Sequence, residues 1–478
     1  MLIPTATYRV QLHAHFTLEN LSSILNYLYE LGISTVYASP LTTAFRGSQH
    51  GYDVADPLHL NPEIGTERQW EDLAAKLKDK GMSWLQDIVP NHMAYSTENP
   101  WLYDVLERGK SSSYYSYFDI QPEPVDPLGD RLLAPFLGSP LEDCLKKGEL
   151  TLQYTDKGLV IRYYDYDFPV AAQLYTSVCT EGGKCPEPLR ASLEELVIAS
   201  LSPAEEWKAA KRRWLALMAN EPSFTEYLQR QVAHFSKNAQ RLETLLGSQH
   251  YMLAHHRLSS SVINYRRFFT VNSLICLRME TEAVFADYHR EIHRWWRRGL
   301  IQGLRIDHID GLAAPRQYID RLRQWFAKDC YMIAEKILAR DEQVPAGWDL
   351  EGMTGYEFLW LADQVLTDAR GSRELLDYYC REVIQLPDFA AVVTERKHNF
   401  LLKQMGGELN NLFGMLNALP RPEGEPLDPE RLRAALAMLL ACFPVYRLYP
   451  DSGPFNEADR HLIGEAFSRA GTNRPDCT

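Results

Sequence analysis

The chain predicts an α/β fold in which parallel strands are linked through helices, and three observations predict it. Over the first ninety residues, short apolar runs bounded by turn residues alternate with longer stretches of helical periodicity. The same alternation returns after about residue 260. Two of the later apolar runs end in clustered charged residues, the place where parallel α/β barrels display reactive side chains.

The elements follow in order. A strand is predicted over Thr7 to Leu12, an amphipathic helix over Leu18 to Leu31, a short strand over Thr35 to Ala38, a helix over Glu67 to Lys80 and a third strand over Ser83 to Val89. After Asn91 and His92 the pattern breaks into a Tyr-, Pro- and Asp-rich stretch around 111–130, followed by Glu-, Lys- and Arg-rich helical sequence to about residue 260. That is too long for an ordinary βα loop and predicts an insertion. The alternation resumes with a helix over Val271 to Arg298, a strand over Gly303 to Asp307, a helix over Arg316 to Lys328 and a strand over Tyr331 to Glu335. Beyond Gly355 the pattern is helical, interrupted by the Pro- and Gly-rich loop 418–430 before a last pair of helices. The expected division is 1–92 and 261–360 for the strand-bearing parts, 93–260 for the insertion and 361–478 for a helical part.

Composition narrows the function. The 63 acidic residues outnumber 50 basic ones, for a net charge of −13, which argues against nucleic acid or an anionic membrane as partner and suits a neutral substrate. With 26 Tyr and 10 Trp there are flat aromatic faces enough for sugar rings as well as for core packing. The eight cysteines form no CxxC pair and read as free thiols of a reducing compartment. No basic-then-apolar leader opens the chain, and the longest apolar run, Ala434 to Phe443, falls short of the ~20 residues a bilayer requires. The expectation is a soluble cytoplasmic protein without cofactor or metal.

Four stretches could carry chemistry. In GLRIDHIDGL (303–312) a strand delivers Arg305, Asp307, His308 and Asp310; alternation puts Arg305 and Asp307 on one face, an arrangement that suits an ionised, nucleophilic carboxylate. An ion pair closing a strand has the same spacing. In YMIAEKIL (331–338) Glu335 ends an apolar strand, where a carboxyl can serve as general acid or can pair with Lys336 or an arginine. Carboxylates on neighbouring strand ends can lie ~5–5.5 Å apart, the separation of a retaining glycosidase pair. In WLQDIVPNH (84–92) Asp87 reads as a structural hydrogen-bonding residue. His92 reads as a donor to a substrate hydroxyl rather than a metal ligand, because no companion stands at ligand spacing. The Gly-punctuated RGSQHGYDV (46–54) presents His50, Tyr52 and Asp53, either to a sugar or as a turn with a packed Tyr.

Taken in order, HGYDV, DIVPNH, GLRIDH and IAEKI resemble conserved regions of the α-amylase superfamily. The longer phrases TATYRVQLH, SPLTTAFRGSQHGYDVADP, LLAPFLG, INYRRFF, RIDHIDGL and TGYEFL are similar to the maltooligosyltrehalose synthases in particular, over essentially the whole chain. The resemblance implies a (β/α)8 TIM-type barrel of the α-amylase kind, with a large insertion after its third strand and a helical C-terminal part. Five predicted strands against the eight of a closed barrel imply that it is incomplete here. It implies Asp307 as nucleophile, Glu335 as general acid/base, and Tyr52, Asp53, His92 and Arg305 around the sugar at the cleaved bond. Its implied reaction converts the reducing-end α-1,4 linkage of a maltooligosaccharide, or of a glycogen-derived α-glucan, into an α,α-1,1 linkage. A separate trehalose-releasing hydrolase is its implied functional partner. Amylases commonly follow the nucleophile with Ala and then Lys-His; here His308, Asp310 and Gly311 stand instead, and His308 and Asp310 are expected to retain the departing glucose. The superfamily's late His-Asp motif and this family's Lys-Gly-Val-Glu-Asp stretch do not occur among the 478 residues. A truncated chain, poorly soluble alone, is expected on that ground. Hydrolysis of α-glucan, and an inactive glucan-binding remnant, are the competing readings.

Overall fold

The computed structural model describes residues 3–180, 183, 185–339, 342–382, 388–420, 428–450 and 455–472. Cys477 and most of the 418–430 loop lie outside them. The chain packs as two compact units, a larger one of Pro4–Ser259 with Ile263–Leu300 and a smaller one that includes Ser260–Val262 and everything from Ile301.

In the larger unit the strands Thr7–Val10, Thr35–Ala38 and Ser83–Ile88 pair in parallel in chain order, with Thr7 opposite Thr35 and Thr35 opposite Ser83. The connecting helices lie where their periodicity predicts. Leu18–Glu30 buries Leu18, Leu21, Leu25 and Leu28, and Glu67–Asp79 buries Trp70, Leu73, Ala74 and Leu77, each a stripe at helical spacing. Both begin with a capping box, Thr17 with Asn20 and Thr66 with Gln69, which satisfies two backbone N–H groups of each first turn. Trp70 packs against Trp84 of the third strand, ring centroids 4.6 Å apart, and against Trp295 at 6.2 Å.

Two expectations are corrected in this unit. The helix predicted over Val271 to Arg298 is a strand, Val271–Cys276, followed by a helix, Glu282–Arg297. The strand pairs antiparallel with His92–Ala94, Cys276 opposite His92. Its β-branched Val271 and Ile275 favour an extended backbone, and Thr281 supplies the helix start six residues after Ile275. The segment after Ala94 also holds more sheet than its charged composition suggests. Leu132–Leu137 pairs in parallel with Tyr251–His255, and Leu150–Thr155, Gly158–Tyr163 and Tyr166–Pro169 form an antiparallel meander. The helices predicted there are present, from Tyr175–Thr180 to Ala239–Gly247.

In the smaller unit Gly303–Ile306 pairs in parallel with Tyr331–Ala334, Arg305 opposite Ile333, and a two-residue strand, Gly352–Met353, joins the far side. Between the first two runs the helix Pro315–Phe326, with Pro at its first turn, buries Tyr318, Ile319, Leu322 and Phe326. Each such fully buried side chain stabilises by roughly 1.5–3 kcal/mol relative to exposure. Arg323 of this helix fixes the third strand by bonding both carboxylate oxygens of Glu351 at 2.8 Å. From Tyr356 onward the described residues outside loops are helical, in six helices ending with Glu457–Thr472. Among the described residues no helix is long and apolar enough to cross a membrane.

Candidate active site

Every residue of Gly303–Ile306 is buried, so both faces of this strand are packed. Leu304 and Ile306 share one face, and the alternation turns Arg305 to the other together with Asp307 at the strand's end. There the Arg305 guanidinium spans two acids, its Nη1 lying 2.7 Å from Asp307 Oδ1 and its Nη2 3.0 Å from Glu335 Oε1. Glu335 follows the neighbouring strand Tyr331–Ala334, and its backbone N–H continues the ladder to Ile306 O at 2.8 Å. The three side chains are 8, 11 and 22% exposed, so the charges meet in a setting largely shielded from water yet still reachable.

His308 holds the left-handed conformation, φ 41° and ψ 54°, rare for a residue with a Cβ. That turn aims its backbone N–H at Glu335 Oε2, 3.1 Å away. Tyr356, the first residue of the helix after Gly355, donates its hydroxyl to Glu335 Oε1 at 3.5 Å. The acid on the second strand is thus held by a cation, a backbone amide and a phenol. The pairing of Glu335 with an arginine is observed, whereas Lys336 turns elsewhere.

Asp310 is engaged by two side chains of the protein. Its carboxylate accepts from the Tyr449 hydroxyl and lies 3.4 Å from Lys336 Nζ. Burial, reinforced by donation to Asp310, pushes the Tyr449 phenol well above its ordinary value. Protein groups thus bond both carboxylate oxygens. His308 forms a T-shaped ring pair with Tyr446, 6.1 Å between centroids.

The other predicted residues belong to the larger unit. Tyr52 donates to Asp87 Oδ2 at 2.6 Å and accepts from Arg9 Nη2 at 3.0 Å. Tyr37 donates to the same Asp87 oxygen at 2.9 Å, so Asp87 anchors two phenols as its structural reading requires. Asp53 accepts from Ser48 Oγ at 2.5 Å and stands 3.7 Å from His50 Nδ1, inside its own loop. His92 is buried beside Phe268, rings 4.6 Å apart, with Asn91 Nδ2 3.3 Å from its Nδ1. Among the described residues no group of three or more His, Cys, Asp and Glu side chains is arranged to hold a metal ion.

Residues that sequence reasoning missed include Tyr356, Glu342, Arg447 and Tyr449. Tyr356 lies inside the TGYEFL phrase, which was a signal for it; the others stand in irregular segments where no periodicity marks a side chain.

Comparison with known proteins adds to this geometry. The α-amylase catalytic-domain family matches residues 14–136. A Mycobacterium tuberculosis (strain ATCC 25618 / H37Rv) protein named as a maltooligosyl trehalose synthase is 30% identical, over 98% of this chain and 53% of its own length. Among solved structures, the maltooligosyltrehalose synthase from Arthrobacter ramosus is similar with a TM-score of 0.74 at 30% identity, covering 99% of this chain and 51% of that one. A hypothetical maltooligosyl trehalose synthase of Sulfolobus tokodaii gives 0.71 at 27% identity, with 99% and 53% covered. The chain spans about half the length of the relatives it matches.

Proposed function

Because the chain is a relative of the maltooligosyltrehalose synthases, of the α-amylase superfamily and its barrel fold, we propose that it carries the nucleophile and the acid/base of an intramolecular transglycosidase. The substrate is a maltooligosaccharide or a glycogen-derived α-glucan, and the product ends in an α,α-1,1 linkage. The observation that carries this reading is the single guanidinium of Arg305 clasping Asp307 and Glu335 on neighbouring strand ends. Two carboxylates held by one planar fork are within reach of the ~5–5.5 Å separation that a retaining mechanism needs.

Asp307 attacks C1 of the penultimate glucosyl unit as the C1–O4 bond breaks, and Glu335 gives its proton to the departing O4 of glucose. The glucose stays bound and turns. Glu335, now a base, takes the proton of the anomeric hydroxyl, whose oxygen attacks C1 and releases Asp307. Two inversions leave the α configuration, and the product is an isomer of the substrate. Water must be kept from C1 throughout, since it would give hydrolysis instead. Tyr52, Asp53, His92 and His308 are assigned to the sugar around the cleaved bond, and Asp310 to the support of the loop that bears the nucleophile. A trehalose-releasing hydrolase is the enzyme class that consumes such a product. Free thiols at Cys144, Cys179, Cys185, Cys276, Cys330 and Cys380 favour a reducing cytoplasm as its setting.

Incubation with maltopentaose tests the proposal. Reducing ends are expected to disappear while total sugar is conserved, and Asp307→Asn is expected to lower the rate by at least ~10⁴-fold. A rise in reducing ends would replace isomerisation by hydrolysis. No conversion that depends on Asp307 would reject the activity for this chain.

A further inference from the structure

We propose that Asp310 and Lys336 are a positioning pair that sets the relation of the two reactive carboxylates, locked from behind by Arg447 and Tyr449. This inference rests on the roles given above to Asp307 and Glu335, and it explains how they are held.

Residues 335 and 336 are consecutive, and each grips the loop that follows Asp307. Glu335 accepts from His308 N–H at 3.1 Å, and Lys336 Nζ lies 3.4 Å from Asp310 Oδ2. The loop between them is the short turn Ile309–Gly311, closed by Gly311 N–H to His308 O at 2.9 Å. The two strand ends are therefore stapled at two points, one on the reactive side and one behind it. Asp307, next to His308, cannot shift toward or away from Glu335 unless a staple opens.

Lys336 is an unusual residue for such a place. Its side chain is wholly buried, and a buried ammonium is costly unless paired and hydrogen-bonded. It has two carboxylates, Asp310 and Glu342, the latter at 2.7 Å, and the Tyr449 ring 5.1 Å from Nζ. Tyr449 closes the set by donating to the other oxygen of Asp310. Arg447 fixes the backbone of the same loop, bonding Asp310 O at 2.8 Å and Leu312 O at 2.5 Å, with Ala313 O at 3.5 Å. It lies over the Tyr449 ring at 4.9 Å. Four side chains, Glu335, Lys336, Arg447 and Tyr449, from two separate stretches thus converge on residues 308–313. A surface turn without chemistry to hold in place has no need of a buried lysine and a guanidinium spread over three carbonyls.

The inference separates two roles for Asp310. A carboxylate that contacted only the departing glucose would leave the first step unaffected when the donor carries no glucose as leaving group, and would govern transfer to a glucose acceptor. One that positions Asp307 governs the first step as well. An activated donor, 5-fluoro-α-glucosyl fluoride, isolates that first step: the C1–F bond breaks, fluoride leaves with the bonding pair, and an Asp307 oxygen bonds to C1, which intact-mass measurement detects. Labelling rates against pH are measured for the full chain and for Asp310→Asn, Lys336→Met, Lys336→Arg and Tyr449→Phe. Amide hydrogen exchange of 307–313 and of the Gly158–Tyr163 strand, which belongs to a separate sheet, is followed in the same proteins.

Lys336→Met and Asp310→Asn are expected to slow labelling about 100-fold with little change in half-saturating donor concentration and with a displaced pH profile. Exchange over 307–313 should quicken about 10-fold while Gly158–Tyr163 is unchanged. Lys336→Arg should recover most of the loss, and Tyr449→Phe should give a smaller effect in the same direction. Labelling and exchange equal to the parent in Lys336→Met and Asp310→Asn would overturn the inference. So would normal labelling of Asp310→Asn with loss only of transfer to added glucose, which would make Asp310 an acceptor contact. If the parent takes no label but 307–313 loosens in the variants, the transglycosidase reading falls and the positioning pair stands. If neither responds, both fall.

Discussion

At the residue scale the site depends on one guanidinium serving two acids. Arg305 and Asp307 are buried and Glu335 is partly so, and removing the shared partner of a buried charge costs more than the pair contributes, because the remaining charges keep their desolvation. Arg305→Met is therefore expected to lower the unfolding free energy of the smaller unit by roughly 3–5 kcal/mol, read as a shifted denaturant midpoint at pH 7. Arg305→Lys keeps the charge but not the fork, so it should recover part of the stability and little of the labelling. A denaturant midpoint for the methionine variant equal to the parent's would mean that the carboxylates are held by other means. The two acids that Arg305 bridges were legible in the sequence because each closes a short apolar strand, and strand alternation says which neighbours share its face. The support behind them was not. Lys336 could be noted only as a neighbour of Glu335, since sequence gives no sign that it meets Asp310 or that Tyr449, 139 residues from Asp310, bonds the same carboxylate.

At the scale of elements, the helix Glu282–Arg297 carries a titration that should show in the stability of the larger unit. His289 is fully buried in it, its Nδ1 2.8 Å from Phe285 O and its ring 4.4 Å from that of Phe285. Burial pulls its value down to about 4. Unfolded, it returns to about 6.5, so as pH falls the unfolded chain takes up the proton first. Stability present above about pH 6.5 is therefore lost progressively as pH drops toward 4, by about 2 kcal/mol between pH 7 and 5 at 1.36 kcal/mol per unit. His289→Gln should flatten this limb, and urea midpoints at the two pH values measure it. Parallel pH dependence in the parent and the variant would assign acid lability to other groups. This helix also shows why element reading from sequence runs out. Its apolar face is strong enough to have been recognised, yet the preceding Val271–Cys276 strand was merged into it, because a six-residue run has no period that separates strand from helix without its partner His92–Ala94. The strands at 303–306 and 331–334 were free of that ambiguity, each being bounded by turn residues and followed by charge. The two-residue strand Gly352–Met353 has no pattern at all and exists only through its neighbour.

At the scale of the whole molecule, the larger unit has an extensive apolar core beside some exposed apolar residues such as Tyr164, Ile198 and Leu201, while the first helices of the C-terminal part bury none. Tyr356–Leu366 and Ala369–Glu382 have no buried residue, and Val365 and Leu366 are 85 and 83% exposed beside an exposed Phe358. Single exposed apolar residues are ordinary, but a cluster along one helix marks an association surface. Net charge of −13 opposes non-specific aggregation at long range and low salt, and that repulsion is screened within ~8 Å at physiological ionic strength. The balance predicts self-association that strengthens with salt, the hydrophobic contribution being left as the charge repulsion fades. Sedimentation at micromolar concentration should show monomer in low salt and larger species at 0.5 M NaCl. Replacing Val365 and Leu366, at the opposite end of the helix from Tyr356, by Glu should shift the chain back to monomer without altering the Asp307-dependent labelling. A chain that stays monomeric in salt would show that this surface is too dispersed to bind itself. Association unaffected by the double substitution would move the sticky surface to another part of the molecule.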